Sequence, residues 1–165
     1  MTPLNNKNIL KFILYFSIFS ILFAFYVEFF LGHQPCNLCL LERIPYFAAI
    51  FITIFSLIFK NFEKIAFLVI GLIFLLSTIL SIYHVGIEKG LIEESLICKS
   101  SLELNTLDKE QLLRELEKNV ISCKNVTFFI LGFSLATINT FVSIIISFIT
   151  LRIFYKYEKK QQKKN

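Results

Sequence analysis

Four long apolar segments constrain the fold of this chain more than any other feature of its sequence. They cover about residues 9–31, 41–59, 65–87 and 126–153, and each approaches or exceeds the ~20 residues with which a helix crosses a bilayer core. Only 18% of the 165 residues are charged, whereas a soluble domain carries about a quarter. These facts exclude a soluble monomer and a disordered chain, and they predict an all-α integral membrane four-helix bundle in one domain.

The connections between the segments predict the orientation of the bundle. Only residues 60–64 separate the second and third segments, so these two form an antiparallel hairpin. Ten of the 17 Lys and Arg residues then lie on the side of both termini, and positively charged ends stay in the cytoplasm. We therefore expect cytoplasmic termini, outer loops at about residues 32–43 and 88–125, and a basic, frayed cytoplasmic tail at 154–165.

The sequence indicates neither nucleic-acid binding nor a cleavable signal peptide. The formal charge of +5 does not predict nucleic-acid binding, because the basic residues crowd the C-terminal tail, which is typical of a membrane anchor. A cleavable signal peptide is not expected, because the first apolar segment is too long and no small-residue cleavage site follows it.

The second outer loop contains one segment with helical periodicity. In residues 106–120, apolar residues such as Leu112, Leu116 and Val120 alternate with charged ones at helical spacing. The pattern predicts either a helix lying on the bilayer surface or a solvated helix that packs on the rest of the loop.

All four cysteines of the chain, Cys36, Cys39, Cys98 and Cys123, fall in the two outer loops. Cysteines that served only as small apolar fillers would lie mostly within the spans. An oxidising compartment would let these pair, and the two-residue spacing of Cys36 and Cys39 suits a disulfide that opens and re-forms. Three interpretations remain: static disulfides, a four-thiolate zinc site, and redox exchange, which the neighbours of Cys39 favour.

Arg43 follows Cys39 by four residues. A helix beginning near Leu41 would keep the guanidinium close to the Cys39 sulfur and point its positive end at it, and both effects favour the reactive thiolate. Pro45 is compatible with a helix start. The alternatives are that Arg43 is an interfacial anchor and that Glu42 is a solvated neighbour.

Three passages of the sequence resemble the DsbB family, the membrane oxidoreductases that reoxidise periplasmic DsbA-type oxidases and pass electrons to quinone. Residues 35–46 (PCNLCLLERIPY) look like the family's first outer loop. Residues 83–88 (YHVGIE) and 132–139 (GFSLATIN) look like its alphaproteobacterial members. The likeness covers nearly the whole chain in order.

The resemblance implies a site, a partner and a location. It implies disulfides Cys36–Cys39 and Cys98–Cys123, with Cys39 facing the quinone and Cys98 forming the mixed disulfide with a periplasmic DsbA-type partner. Ubiquinone or menaquinone would be the cofactor, and no metal is implied. The location would be the bacterial inner membrane.

Several polar residues near these cysteines have open roles. By resemblance Arg43 is the cation near the quinone and His84 lies near the quinone end, although His84 also fits an interfacial histidine that reaches for water. Glu28 and Asn139 lie in apolar segments, where polar groups are functional by default, but we interpret both as hydrogen-bond partners between helices.

Two features depart from the family and two alternatives stay open. The loop between Cys98 and Cys123 is rich in Lys and Glu, and the chain has no Trp. The alternatives are a DsbI-like paralogue that serves a dedicated substrate and a non-catalytic membrane protein stapled by disulfides.

Overall fold

Long helices make up most of the described chain. The computed structural model describes residues 3–93, 98, 123–124, 128–130 and 132–162. In chain order the elements are α1 (Pro3–Phe29), α2 (Asn37–Leu41), α3 (Ile44–Ile58), a 3-10 helix (Lys60–Phe62), α4 (Glu63–Glu88), β1 (Phe129–Ile130), β2 (Phe133–Ser134) and α5 (Leu135–Gln162).

Four stretches of the described residues are long and apolar enough to cross a membrane. They are Asn6–Phe29, Asn37–Ile58, Glu63–Glu88 and Leu135–Lys159. This finding confirms the predicted all-α membrane bundle. The predicted surface helix at 106–120 lies outside the described residues.

The helices pack in a series, with α1 against α3, α3 against α4, and α4 most extensively against α5. The α4–α5 contact is close because small residues line it. Ser147 donates a hydrogen bond to the backbone carbonyl of Gly71 at 2.9 Å, and a Cβ atom at Gly71 would lie 2.7 Å from Leu151. Small residues that let two backbones approach are the usual means of joining helices in lipid, where apolar burial supplies no driving force.

The core and the outer surface of the bundle are both apolar. The core cluster consists of Leu10, Ile13, Ile21, Tyr46, Ala49, Phe67, Ile70, Phe74 and Ile153. Large side chains on the outside are also apolar, including Phe12, Phe51, Leu76 and Phe148. An apolar exterior of this kind would aggregate in water, so it is the surface that faces lipid.

The last helix begins later than the fourth apolar segment. A short antiparallel hairpin of β1 and β2 precedes it, with Phe129 opposite Ser134. Gly132, at φ +85°, supplies the left-handed turn between the two strands. The Ser134 hydroxyl then accepts a hydrogen bond from the backbone N–H of Thr137 at 3.2 Å, which caps the start of α5. At its other end α5 continues as helix to Gln162, where the sequence predicted a frayed tail.

Candidate functional site

The first two cysteines lie where the chain enters the second span. Cys36 is the N-cap of α2, and its sulfur accepts the backbone N–H of Cys39 at 3.3 Å. The helix breaks after Leu41, because Pro45 lacks an N–H group and its ring would clash with the carbonyl four residues earlier. α3 therefore begins at Ile44, with Arg43 as its N-cap. The helix that was expected to begin near Leu41 thus begins at Ile44, and Cys39 lies in a separate short helix, α2, within the expected loop.

The first two cysteines are free in the structure and lie in direct contact with each other and with a histidine. The Sγ atoms of Cys36 and Cys39 are 2.9 Å apart. Nε2 of His84, on α4, lies 3.5 Å from the Cys36 sulfur. His84 is only 1% exposed, so the alternative of an interfacial histidine that reaches for water is wrong.

Glu42 holds the other side of the His84 ring. Its Oε1 atom is 2.9 Å from Nδ1 of His84, and its Oε2 atom accepts a hydrogen bond from Asn139 at 3.1 Å. Glu42 is buried, so the interpretation of this residue as a solvated neighbour is wrong. A carboxylate at Nδ1 fixes the orientation of the ring and directs Nε2 toward Cys36.

Asn139 joins three elements through hydrogen bonds. It donates to Glu42 and to the hydroxyl of Ser81 at 2.7 Å, and it accepts from the Tyr46 hydroxyl at 2.6 Å. These bonds confirm the interpretation of Asn139 as a hydrogen-bond partner between helices. The glutamate of the α2–α3 break is thereby fastened to α4 and α5.

A second carboxylate lies on the same side of the ring as the sulfur. Oε1 of Glu88 is 3.8 Å from Nε2 of His84, and Oε2 accepts a hydrogen bond from the Ser134 hydroxyl at 2.5 Å. Ser134 thus both caps α5 and holds Glu88. Neither Glu88 nor Ser134 was predicted as a site residue, although both fall in the passages that resemble the DsbB family.

The surroundings of Cys36 favour its thiolate. The hydrogen bond with the Cys39 thiol lowers the pKa of Cys36, burial raises it, and hydrogen bonds from His84 and from the Cys39 backbone lower it further, to about 4. An ordinary cysteine has a pKa of about 8.5. The sequence predicted the favoured thiolate at Cys39, whereas the contacts in the structure stabilise the charge on Cys36.

Arg43 makes a different set of contacts from those expected. Its guanidinium pairs with Glu28 of α1 at 2.6 Å and lies 5.3 Å from the centroid of the Phe25 ring. Among the described residues it contacts neither sulfur. The Glu28 contact confirms that this residue is an interhelical partner. The pair joins α1 to the start of α3 beside the cysteines.

The other two cysteines are joined to each other next to this cluster. Cys98 and Cys123 form a disulfide with a Cα–Cα distance of 5.4 Å. Both are buried, in one cluster with Cys36, Leu38 and Ile87. The fold thus gathers four cysteines from three separate parts of the sequence at one end of the bundle.

A cavity of about 570 Å³ extends from the cysteines between α1 and α5. Its walls are mainly apolar and include Phe16, Phe19, Phe23, Val27, Ile138 and Val142. Its polar lining includes Cys36, Cys39, Glu42, Arg43 and His84. A largely apolar cavity of this size, with polar groups in a few places, is typical of a site for a drug-sized organic molecule.

Comparisons with known proteins identify the family of this chain. A family model described as "Disulfide bond formation protein DsbB" matches residues 6–153. The chain is 31% identical over 147 residues to the uncharacterized protein RP370 of Rickettsia prowazekii (strain Madrid E), covering 87% of this chain and 86% of the relative. No solved structure matches the chain significantly. The range matched by the family model contains all four cysteines.

Proposed function

This chain belongs to the DsbB family of disulfide bond formation proteins, and from that premise we propose that it passes electrons from a periplasmic DsbA-type oxidase to a membrane quinone. Family membership makes it a membrane oxidoreductase of disulfide bond formation. The observation that carries the finer proposal is the position of Cys36 and Cys39. They line a largely apolar cavity on one side and share a buried cluster with the Cys98–Cys123 disulfide. We place both termini in the cytoplasm and the cysteines on the periplasmic side.

The first part of the proposed reaction is thiol–disulfide exchange with the soluble partner. A thiolate of the reduced partner attacks Cys98, and the bond to Cys123 breaks. The partner's second cysteine then displaces Cys98, so that the partner leaves with a disulfide and Cys98 and Cys123 remain as thiols.

The second part moves the two electrons to the inner pair. Cys123 attacks Cys36 of a Cys36–Cys39 disulfide and releases Cys39. Cys98 then attacks Cys123, which restores the Cys98–Cys123 disulfide and leaves Cys36 and Cys39 as thiols. The burial of Cys36, Cys98 and Cys123 in one cluster supports a direct exchange between the pairs.

The cavity fits a quinone. Its volume of about 570 Å³ and its apolar walls suit a lipid-soluble ring, and Arg43 and His84 are among the polar residues that line it. A bound ubiquinone or menaquinone would accept two electrons and two protons. When Cys36 and Cys39 form their disulfide, the two cysteines and His84 together lose two electrons and two protons, and His84 is placed to hold the proton of the Cys36 thiolate at Nε2.

Stabilisation of the Cys36 thiolate also suits the direction of electron flow. A stabilised thiolate favours the reduced pair and makes the disulfide more oxidising. DsbA-type oxidases are themselves strong oxidants at about −120 mV, so a pair that accepts their electrons must be strongly oxidising as well.

The decisive experiment measures quinone reduction by the purified full-length chain given a reduced DsbA-type partner. We expect turnover by the unsubstituted chain and by Thr140→Ala, a control whose hydroxyl donates a hydrogen bond to the Ala136 carbonyl of its own helix. Cys98→Ser should stop oxidation of the partner, while Cys36 and Cys39 still equilibrate with quinone.

Two results would contradict the proposal. Oxidation of the partner by Cys98→Ser at a near-normal rate would remove Cys98 as the residue that receives the electrons. Absence of quinone reduction by the unsubstituted chain would favour a membrane protein whose disulfides are only structural.

A further inference from the structure

We propose that Cys36, Cys39 and His84 form a binding site for Zn²⁺ that exists only while both cysteines are reduced. The two sulfurs and one ring nitrogen all lie within 4.8 Å of one another. Thiolate sulfur and imidazole nitrogen are the donors that Zn²⁺ prefers in proteins. This site differs from the four-thiolate zinc site considered from the sequence, because Cys98 and Cys123 are bonded to each other.

The distances are close to those of a tetrahedral zinc site. With Zn–S of about 2.3 Å and Zn–N of about 2.0 Å, the sulfur and nitrogen ligands of one ion are about 3.5 Å apart, and two sulfurs about 3.8 Å apart. The distance from Cys36 Sγ to His84 Nε2 is 3.5 Å. The two sulfurs are 2.9 Å apart. A small rotation of the Cys39 side chain would widen this distance and place the three donors at three corners of a tetrahedron.

The histidine is held as metal-ligating histidines usually are. A ligating imidazole normally donates its other N–H to a carboxylate, which fixes the tautomer and the ring orientation. Glu42 occupies that position at Nδ1 of His84, and Asn139 in turn holds Glu42. The buried carboxylate, histidine and thiol thus form the arrangement that presents Nε2 to a cation.

A second carboxylate lies near the ring nitrogen of this group. Glu88 Oε1 is 3.8 Å from His84 Nε2, and the Ser134 hydroxyl holds the other oxygen of that carboxylate. The close protein donors are therefore two sulfurs and one nitrogen, and the fourth corner of a tetrahedral site is left for water. Binding exchanges one Zn²⁺ for the two protons that the reduced cysteines and histidine give up, and no oxidant is required.

This site would couple metal binding to the redox state of the chain. A Cys36–Cys39 disulfide has no thiolate to offer, so only the reduced form binds Zn²⁺. The bound ion in turn prevents the two sulfurs from joining, and it holds the chain in its reduced form. Zn²⁺ is therefore expected to inhibit the reoxidation of this pair.

The test uses Cd²⁺ as a spectroscopic probe for the purified full-length chain, without quinone or soluble partner. Reduced protein is titrated with Cd²⁺, the thiolate-to-cadmium charge-transfer absorption is recorded, and Zn²⁺ is then added as a competitor. The reduced Cys36→Ser/Cys39→Ser chain measures any Cd²⁺ held by Cys98 and Cys123. The oxidised chain serves as a control that requires no substitution.

We expect the reduced chain to bind one Cd²⁺ more than the Cys36→Ser/Cys39→Ser chain, and Zn²⁺ to displace that ion. The oxidised chain should bind none. Glu42→Gln should weaken binding by about 10–100-fold, and His84→Asn by at least as much. His33→Asn, which changes the other histidine of the chain, should leave the affinity unchanged.

Equal binding by the oxidised and reduced chains would overturn the site. An unchanged affinity in folded His84→Asn would do so as well, because it would reduce the site to two thiols. Neither result tests electron transfer to quinone, because no quinone is present in this titration.

Discussion

Nε2 of His84 lies 3.5 Å from the sulfur of Cys36, although 48 positions separate the two residues in the chain. The contact brings α4 to the cap of α2, and Glu42 keeps the ring in place from its other side. A buried imidazole beside one sulfur of the pair distinguishes Cys36 from Cys39. The chemistry of this pair therefore depends on contacts between helices as well as on its spacing.

The first prediction concerns the reactivity of Cys36 toward an alkylating reagent. Because the pKa of Cys36 lies at about 4, its alkylation rate should level off at acidic pH, whereas an ordinary thiol keeps gaining reactivity up to about pH 8.5. His84→Asn should move this profile toward higher pH. The measurement is the alkylation rate as a function of pH, in reduced chains with Cys39 intact and in reduced chains with Cys39→Ser. His33→Asn, made in the same chains, is the control for His84→Asn. A profile that His84→Asn does not move would show that the ring leaves the thiolate unaffected.

The same lowered pKa predicts how the stability of the reduced chain varies with pH. A folded-state pKa below the unfolded value contributes stability that is complete above about pH 8.5 and is lost as the pH falls toward about 4. The midpoint of unfolding of the reduced chain should therefore fall across this range more than that of Cys36→Ser. Equal pH dependence in the two chains would contradict the assignment of the thiolate.

Substitutions of Arg43 should separate its structural contact from its role beside the cavity. Arg43→Met leaves the mostly buried Glu28 carboxylate without its cation, so it should destabilise the chain. Adding Glu28→Gln should restore stability but not quinone use. The apparent KM for quinone should rise about tenfold in both chains, or about 1.4 kcal/mol, and less in Arg43→Lys, which keeps the charge but not the planar fork of donors.

Recovery of a normal KM in Glu28→Gln/Arg43→Met would show that Arg43 only neutralises Glu28. Thermal unfolding and quinone kinetics, measured on the same three chains, distinguish these outcomes.

Gly71→Ala should weaken the contact between α4 and α5. Its new methyl group would lie 2.7 Å from Leu151, and overpacking of this kind costs about 1–3 kcal/mol. The gain in helix propensity, about 1 kcal/mol, offsets only part of that cost. Leu76→Ala, on the lipid-facing side of α4, is the control. The midpoint of thermal unfolding in detergent should fall more for Gly71→Ala than for the control. A higher midpoint for Gly71→Ala would show that the Leu151 side chain moves aside without loss of stability.

The orientation in the membrane can be tested with one new cysteine at each end of α4. In chains whose native cysteines are replaced by Ser, Leu91→Cys and Asn61→Cys both place a thiol at an exposed position. A membrane-impermeant maleimide should label Leu91→Cys in intact cells and Asn61→Cys only after permeabilisation. The reverse pattern would place the cysteine end of the bundle in the cytoplasm.

The number and approximate position of the helices could be read from the sequence because hydropathy is a local property. A segment of about 20 apolar residues is a membrane helix whatever surrounds it. The predicted helix ends were less accurate where individual residues determine them. Ser134 and Gly132 start α5 nine residues after the start of the fourth apolar segment, and Pro45 divides the second span.

By itself the sequence determined the membrane bundle, the four cysteines and the resemblance to the DsbB family. Only the tertiary structure decided that Glu42 is buried against His84, that Cys36 is the cysteine with the stabilised charge, and that Arg43 pairs with Glu28. The physical reason is that these contacts join residues as far apart as Glu42 and Asn139, which are 97 positions distant. Such contacts depend on how each helix is rotated and packed against its neighbours, and a nearly uniform apolar sequence carries little information about that rotation.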